Sequence, residues 1–262
     1  MNVGDLFSFF TKKEESVIGV DIGSSAIKVV QVKKKRGRVV LETYGELALG
    51  PYAGVEVGRA TNLPPEKIAE ALKDILREAK TSTTAAGVAL PLASSLISFV
   101  NLPQVQEKQL ADVVALEARK YIPVPMNEVM LDWSIVPQEE AYAADEGEAT
   151  SNATAKPTQQ RQDVLIVAIL NEYINNYQTI MGAAGVKPSF YEIELFSSIR
   201  AVVEQGVNAV MIIDMGARIT KLYIVERGIL RSSHILNKGS QDITLALSKA
   251  LTLGINEAEH MK

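Results

Sequence analysis

One short pattern constrains this chain more than any other, because it occurs twice. An apolar strand runs into Asp-x-Gly and a lysine follows seven residues after the aspartate: Asp21, Gly23 and Lys28 in the first copy, Asp214, Gly216 and Lys221 in the second. Each copy continues as an apolar strand, a charged turn containing glycine, and another strand. A lone Asp-x-Gly at a strand end is usually no more than a turn. A repeat carried through strand, turn and strand is more informative, since it asks the chain to build the same hairpin in two places.

The chemistry suited to such a hairpin is phosphate binding. Glycine at the strand end lets the backbone come close to a ligand, and successive amides of the turn form a nest for an anion. On this basis Gly23, Ser24, Ser25, Gly216, Ala217 and Thr220 are nucleotide-binding candidates, with the hydroxyls of Ser24, Ser25 and Thr220 as donors to phosphate oxygens. Lys28 and Lys221 either neutralise phosphate or face solvent, and Arg218 has the same two alternatives. Two carboxylates aimed at one cleft repel unless a cation lies between them. Asp21 and Asp214 are therefore candidate Mg²⁺ partners, through water, because Mg²⁺ keeps much of its hydration shell. Glu192 and Glu194 alternate along one expected strand. Either one of them (Glu194 is the candidate catalytic residue) faces the cleft and positions the attacking water, or both face solvent.

Composition narrows the alternatives. The 262 residues carry a net charge of −4, which gives no basic footprint for nucleic acid. With no cysteine and only His234 and His260, disulfides and thiolate or histidine zinc sites are excluded or disfavoured. No apolar run approaches the length of a membrane span, and the opening residues do not form a signal peptide.

Along the chain, strands are expected at Val17–Asp21, Ala26–Val32 and Arg38–Tyr44, with a polar turn from Lys33 to Gly37, followed by a helix opening at Leu63-Pro64-Pro65-Glu66 and a strand at Ala86–Leu90. A second block has strands at Leu96–Val100, Val129–Val136 and Val164–Leu170, with helices at Glu107–Tyr121 and Asn171–Ala184. Between Pro137 and Asp163 the chain is poor in large apolar residues and reads as a disordered or variable loop. The third block restarts the first: a strand at Pro188–Glu194, a helix at Leu195–Glu204, strands at Val207–Asp214, Thr220–Val225 and Ile229–Leu236, and a helix over Ser240–Leu253.

At these residues the chain resembles the actin-like ATPase superfamily, whose two lobes each contribute an Asp-x-Gly phosphate hairpin. Further stretches resemble the type IV pilus assembly PilM family. They are Ser98–Pro103, Leu116–Pro125, Ala183–Pro188 and Glu192–Ala201, together with the opening Val17–Lys28. The resemblance implies an α/β fold of ribonuclease H-like, actin-like lobes with an inserted FtsA-type 1C-like subdomain. It implies an N-terminal tail at 1–15, a first lobe at 16–95, and an inserted subdomain at 96–187 with its loop at about 137–162. A return to the first lobe at 188–206 and the start of a second lobe at 207–262 complete the division. Because actin-like folds continue past the second hairpin to a glycine motif that holds adenosine, the second lobe is expected to be incomplete here. Gly239 belongs to the trailing turn and does not replace that motif.

The family resemblance also implies ATP and Mg²⁺ as ligands and a cytoplasmic scaffold at the inner membrane. Its partner would be the N-terminal tail of a PilN-like membrane protein, with other pilus components and a homo-oligomer as further possibilities. Hydrolysis would be slow at most. The apolar tail residues Leu6, Phe7, Phe9 and Phe10 either help recruit the chain or pack loosely on it. Two rivals share the superfold: an FtsA-like cell-division filament protein, and a sugar kinase or phosphatase. The first needs a C-terminal amphipathic helix and the second a catalytic aspartate near a sugar pocket, and neither stands out.

Overall fold

The computed structural model describes residues 16–136, 161–204, 206 and 208–262. In chain order the elements are β1 (Ser16–Ile22), β2 (Ala26–Lys35), β3 (Arg38–Ala48), α1 (Pro65–Glu78) and β4 (Ala85–Leu90). Then come β5 (Ser95–Pro103), α2 (Glu107–Ala118), β6 (Val129–Val136), β7 (Arg161–Leu170) and α3 (Asn171–Ala183). The last group is β8 (Lys187–Ile193), α4 (Glu194–Val202), β9 (Ala209–Met215), β10 (Thr220–Glu226), β11 (Ile229–Leu236), α5 (Ser240–Leu251) and α6 (Ile255–Met261). Two compact units result: one ends at Pro91 and resumes at Asn176, and the other holds Leu92–Asn175.

The first unit contains a five-stranded sheet in the order β3-β2-β1-β4-β8. β1, β2 and β3 form the antiparallel meander, while β4 and β8 join in parallel. Strict alternation places Ile18, Val20, Ile27, Val29, Val88 and Leu90 on the buried face. Leu72 and Ile75 of α1 are buried with them, and each such side chain contributes roughly 1.5–3 kcal/mol by leaving water. Pro65 sits at the start of α1, where the absent N–H is not missed. Gly45 on β3 lets the helix pack close: an added Cβ would stand 3.2 Å from Ile75.

The same unit holds a three-stranded antiparallel sheet, β11-β10-β9, with α5 and α6 packed on each other. The repeat seen in the sequence is now visible in backbone detail. Both hairpins turn on an Arg-Gly pair in the left-handed region, Arg36 (φ 49°) with Gly37 (φ 80°) and Arg227 (φ 52°) with Gly228 (φ 74°). Two consecutive positive φ values match the right-handed twist of a two-residue hairpin. The ladders also slip at equivalent places, between Gln31 and Val32 and between Ile224 and Val225, in each case starting ten residues after the aspartate.

The second unit is an antiparallel sheet in the order β5-β7-β6 with α2 packed on it. Its core includes Val100, Leu102, Leu110, Val114, Val164 and Ile166.

Several expected boundaries move. The strand expected to run through Glu194 stops at Ile193, and Glu194 is the first residue of α4. Glu192 and Glu194 therefore do not share a strand face. The helix expected to reach Tyr121 ends at Ala118, whose carbonyl accepts from the amides of Tyr121 and Ile122 in a closing turn. α6 follows a left-handed Thr252 (φ 55°), a stop that no glycine announces. The expected tail at 1–15 lies outside the described residues, as do residues 137–160 of the expected loop. Arg161 and Gln162 already belong to β7.

Candidate functional site

Each Asp-x-Gly turn closes with the same hydrogen bond. The Gly23 amide donates to Ala26 O and the Gly216 amide to Ile219 O, both at 2.9 Å. An added Cβ would lie 3.1 Å from that same carbonyl in either turn. Glycine is thus fitted to the tightness of the turn itself, a nearer cause than approach to a ligand. Beyond the glycine, among the described residues, the amides of Ser24, Ser25, Ala217 and Arg218 donate to no backbone acceptor. Amides left in this way are the kind of donor that an anion-binding turn uses.

The two turns are held to each other through the connection after β3 and the start of α5. Thr61 donates through its amide (2.8 Å) and its hydroxyl (3.1 Å) to Ser24 O. Next to it, the Ala60 amide donates to Gln241 Oε1 at 2.7 Å. The Gln241 amide in turn donates to Ala217 O at 3.0 Å, and the Ser240 amide to Gly216 O at 2.9 Å. Gly239 permits this contact, because a Cβ there would stand 2.4 Å from Ala217 O. The first amides of α5, which have no partner within the helix, are thereby satisfied by the second turn. None of Ala60, Thr61, Gln241 or Gly239 is marked by the sequence pattern as a link between the hairpins.

The register explains the lysines. Asp21 faces Lys28 across β1–β2, and Asp214 faces Lys221 across β10–β9. The two pairs then diverge. Lys221 is 7% exposed and its ammonium lies 2.7 Å from Asp214 Oδ2 and 2.7 Å from Glu194 Oε2. Burial alone would lower its pKa, but the hydrogen bonds it donates to both carboxylates outweigh burial and hold it above the usual lysine range. Lys28 is exposed and enters no ion pair among the described residues. Asp21 is pushed up, first by burial and then by the charge of Glu194, against the lowering effects of Lys28 and Lys221; Asp214 raises it further. Tyr177 and Tyr223 complete the surroundings. Burial pushes both phenols up, with Asp21 and Glu194 adding to it at Tyr177, and Glu194 and Asp214 at Tyr223.

The sequence candidates therefore separate. Lys221 joins Asp214 and Glu194, Asp21 feels the charges of all three, and Ser24 and Ser25 remain at the first turn. Thr220 does not serve as a phosphate donor, since its buried hydroxyl already donates to Lys238 O at 2.7 Å. Arg218 is exposed. Glu192 pairs with Arg200 instead, and both line the groove that Asp21 and Lys28 also line. This groove, of about 460 Å³, lies on the open sheet face with Asp21 and Lys28 at one end, walled by Val17, Val30 and Phe190.

The donors suit a phosphate chain: among the described residues both turns keep amides without a backbone acceptor, Ser24 and Ser25 keep unpaired hydroxyls, and Lys28 is exposed. A magnesium ion bound directly by both Asp214 and Glu194 does not fit. Lys221 already fills the space between Asp214 and Glu194, and among the described residues no three histidine, aspartate or glutamate side chains come together to hold a metal.

Comparison with known proteins decides the family. The profile of type IV pilus assembly protein PilM matches residues 19–262. The chain belongs to that family. Among solved structures, the PilM family chain is similar to one described as a PilM–PilN type IV pilus biogenesis complex. The TM-score is 0.73 at 22% identity, covering 94% of this chain and 68% of the other. It is also similar to the cytoplasmic domain of EpsL, an inner membrane component of the type II secretion system of Vibrio cholerae. That match has a TM-score of 0.51 at 10% identity, over 92% of this chain and 78% of the other. The ethanolamine utilization protein EutJ of Carboxydothermus hydrogenoformans matches with a TM-score of 0.50 at 13% identity, over 95% and 61% of the two chains. At these identities the likeness establishes the actin-like ATPase fold. Among the described residues, no helix of this PilM family member is long and apolar enough to cross a membrane.

Proposed function

We propose that this chain is a nucleotide-responsive scaffold of type IV pilus assembly, holding the phosphates of ATP between its two hairpins and docking the N-terminal tail of a PilN-like inner-membrane protein. The observation that carries the nucleotide half is the hydrogen-bonded link from Ser24 through Thr61, Ala60 and Gln241 to Ala217, which ties the two glycine turns to each other within one compact unit. Support for the partner comes from family membership and from the likeness to a PilM–PilN complex. On this reading the chain works in the cytoplasm, at the inner membrane, through its partner.

A scaffold suits the site better than a fast hydrolase. A general base must be free to take a proton from water. Glu194, the expected candidate, accepts a hydrogen bond from Lys221 at 2.7 Å instead. Nucleotide then changes how firmly the two hairpins are held rather than feeding a rapid turnover. The test is a titration of labelled PilN-type tail peptide into the protein, with and without ATP. Saturable binding that strengthens with ATP is expected, and no saturable binding in either condition would sink the docking half. Peptide binding unchanged by ATP, in a protein that binds ATP, would remove the coupling.

A further inference from the structure

Lys221 marks a difference between the two hairpins that their shared sequence pattern hides. Both lysines stand opposite their aspartate in the ladder, and the β10–β11 irregularity comes only after Ile224, beyond Lys221. Lys28 is exposed at the end of the open groove, where it can reach a ligand. Lys221 is buried on the same side of its strand as Tyr223, and two of its three protons go to Asp214 and Glu194.

We propose that Lys221 is a built-in cation occupying the place a divalent ion would take between Asp214 and Glu194, so that this site receives a phosphate chain without a metal bridge. The proposal rests on the hairpins being a phosphate site, as proposed above. A divalent ion touching both carboxylates would need oxygen ligands at about 2.0–2.1 Å for Mg²⁺. That ion would share with the ammonium the same two oxygens, each of which now sits 2.7 Å from Lys221 Nζ. Two cations so close repel strongly in a partly desolvated site. The lysine would have to leave a place in which its side chain is only 9% exposed. The positive charge that balances the carboxylates is thus covalently part of β10. It is present before any ligand arrives and does not depend on free metal.

The test uses Mn²⁺ as the probe, followed by its electron paramagnetic resonance signal, with the full chain as wild type, Lys221→Met, Asp214→Asn and the double variant. Wild type is expected to retain no Mn²⁺ at a site sensitive to Asp214→Asn. Lys221→Met is expected to gain one Mn²⁺ site, at least about tenfold tighter than any wild-type binding, and the double variant to lose it. A wild-type Mn²⁺ site abolished by Asp214→Asn overturns the proposal, as does a folded Lys221→Met protein that gains nothing. Should Lys221→Met fail to fold, ATP affinity of the wild type in EDTA and in Mg²⁺ decides the matter. Equal affinities support the proposal, and a rise of about tenfold or more with Mg²⁺ overturns it. Absence of ATP binding in both buffers would count against the nucleotide function while leaving the Mn²⁺ result to decide the role of Lys221.

Discussion

Asp214 and Lys221 stand directly opposite each other across the β9–β10 ladder and close an ion pair of 2.7 Å, which Glu194 shares from the first turn of α4. The same register in the first hairpin gives Asp21 and Lys28 no such closure. Stripping one member from a buried pair leaves its partners charged and uncompensated, at a typical cost of about 3–5 kcal/mol. Here the side chain of Asp214 is 37% exposed, so water relieves part of the loss. Lys221→Ala should therefore destabilise the protein by about 2 kcal/mol, and Lys28→Ala should stay within about 0.5 kcal/mol of wild type. Urea unfolding of both variants checks the contrast; equal losses would show that the asymmetry has no energetic consequence.

The raised pKa of Asp21 has a definite sign for stability. Its carboxyl holds a proton more tightly folded than at the ordinary value of 3.8, chiefly because burial disfavours the charge. The contribution is fully present below that ordinary value and is lost as pH rises through the folded one. Above the folded value the ionised group is a burden on the fold. Asp21→Asn should then be more stable than wild type at neutral pH, with the advantage shrinking toward zero as pH falls below about 4. Denaturant midpoints across that pH range provide the measurement, and an Asn variant weaker than wild type at pH 7 would contradict the assignment.

The repeat is legible in the sequence because its cause is local. Asp, Gly and Lys recur at fixed offsets, and alternating valines and isoleucines impose strand periodicity on the segment after each turn. Periodicity alone puts Glu194 on the wrong element because β8 passes into α4 without a turn. Ile193 stands at the helix cap and offers no side-chain hydrogen bond, so the usual polar start signal is absent. The role of Lys221 is hidden for a different reason. Its offset matches that of Lys28, and only the arrival of Glu194 from a distant part of the chain separates the two. The link through Ala60, Thr61 and Gln241 spans 181 residues in its longest bond, from Ala60 to Gln241, and no local pattern encodes a contact of that reach.

That link makes a prediction of its own. Gln241→Ala removes the acceptor for the partly buried Ala60 amide, and an unsatisfied donor of this kind costs about 1–3 kcal/mol. Loss at the low end, about 1 kcal/mol, is expected because the segment can relax toward water. Gln241→Glu keeps an acceptor oxygen and should lose less. Hydrogen exchange at Thr61, whose amide is held by Ser24 O, should accelerate in the alanine variant and much less in the glutamate one. Unchanged exchange in both would mean that the two turns are held together by something other than this chain of bonds.

Gly239 tests the docking of α5 on the second turn most directly. Its φ of −137° is open to any residue, so the constraint is space alone. A Cβ would meet Ala217 O at 2.4 Å and Gly216 O at 2.6 Å, both backbone atoms that cannot swing aside. Gly239→Ala must push α5 off the turn, straining the Ser240 and Gln241 amide bonds, and should cost about 1–3 kcal/mol, as overpacking usually does. Gly182 offers the matched control. It lies in α3, where an added methyl meets nothing within 4 Å, and Gly182→Ala should stabilise by up to about 1 kcal/mol through helix propensity. Thermal unfolding should therefore move in opposite directions for the two substitutions. ATP binding should weaken only in Gly239→Ala, because only that change moves the turn carrying Ala217 and Arg218.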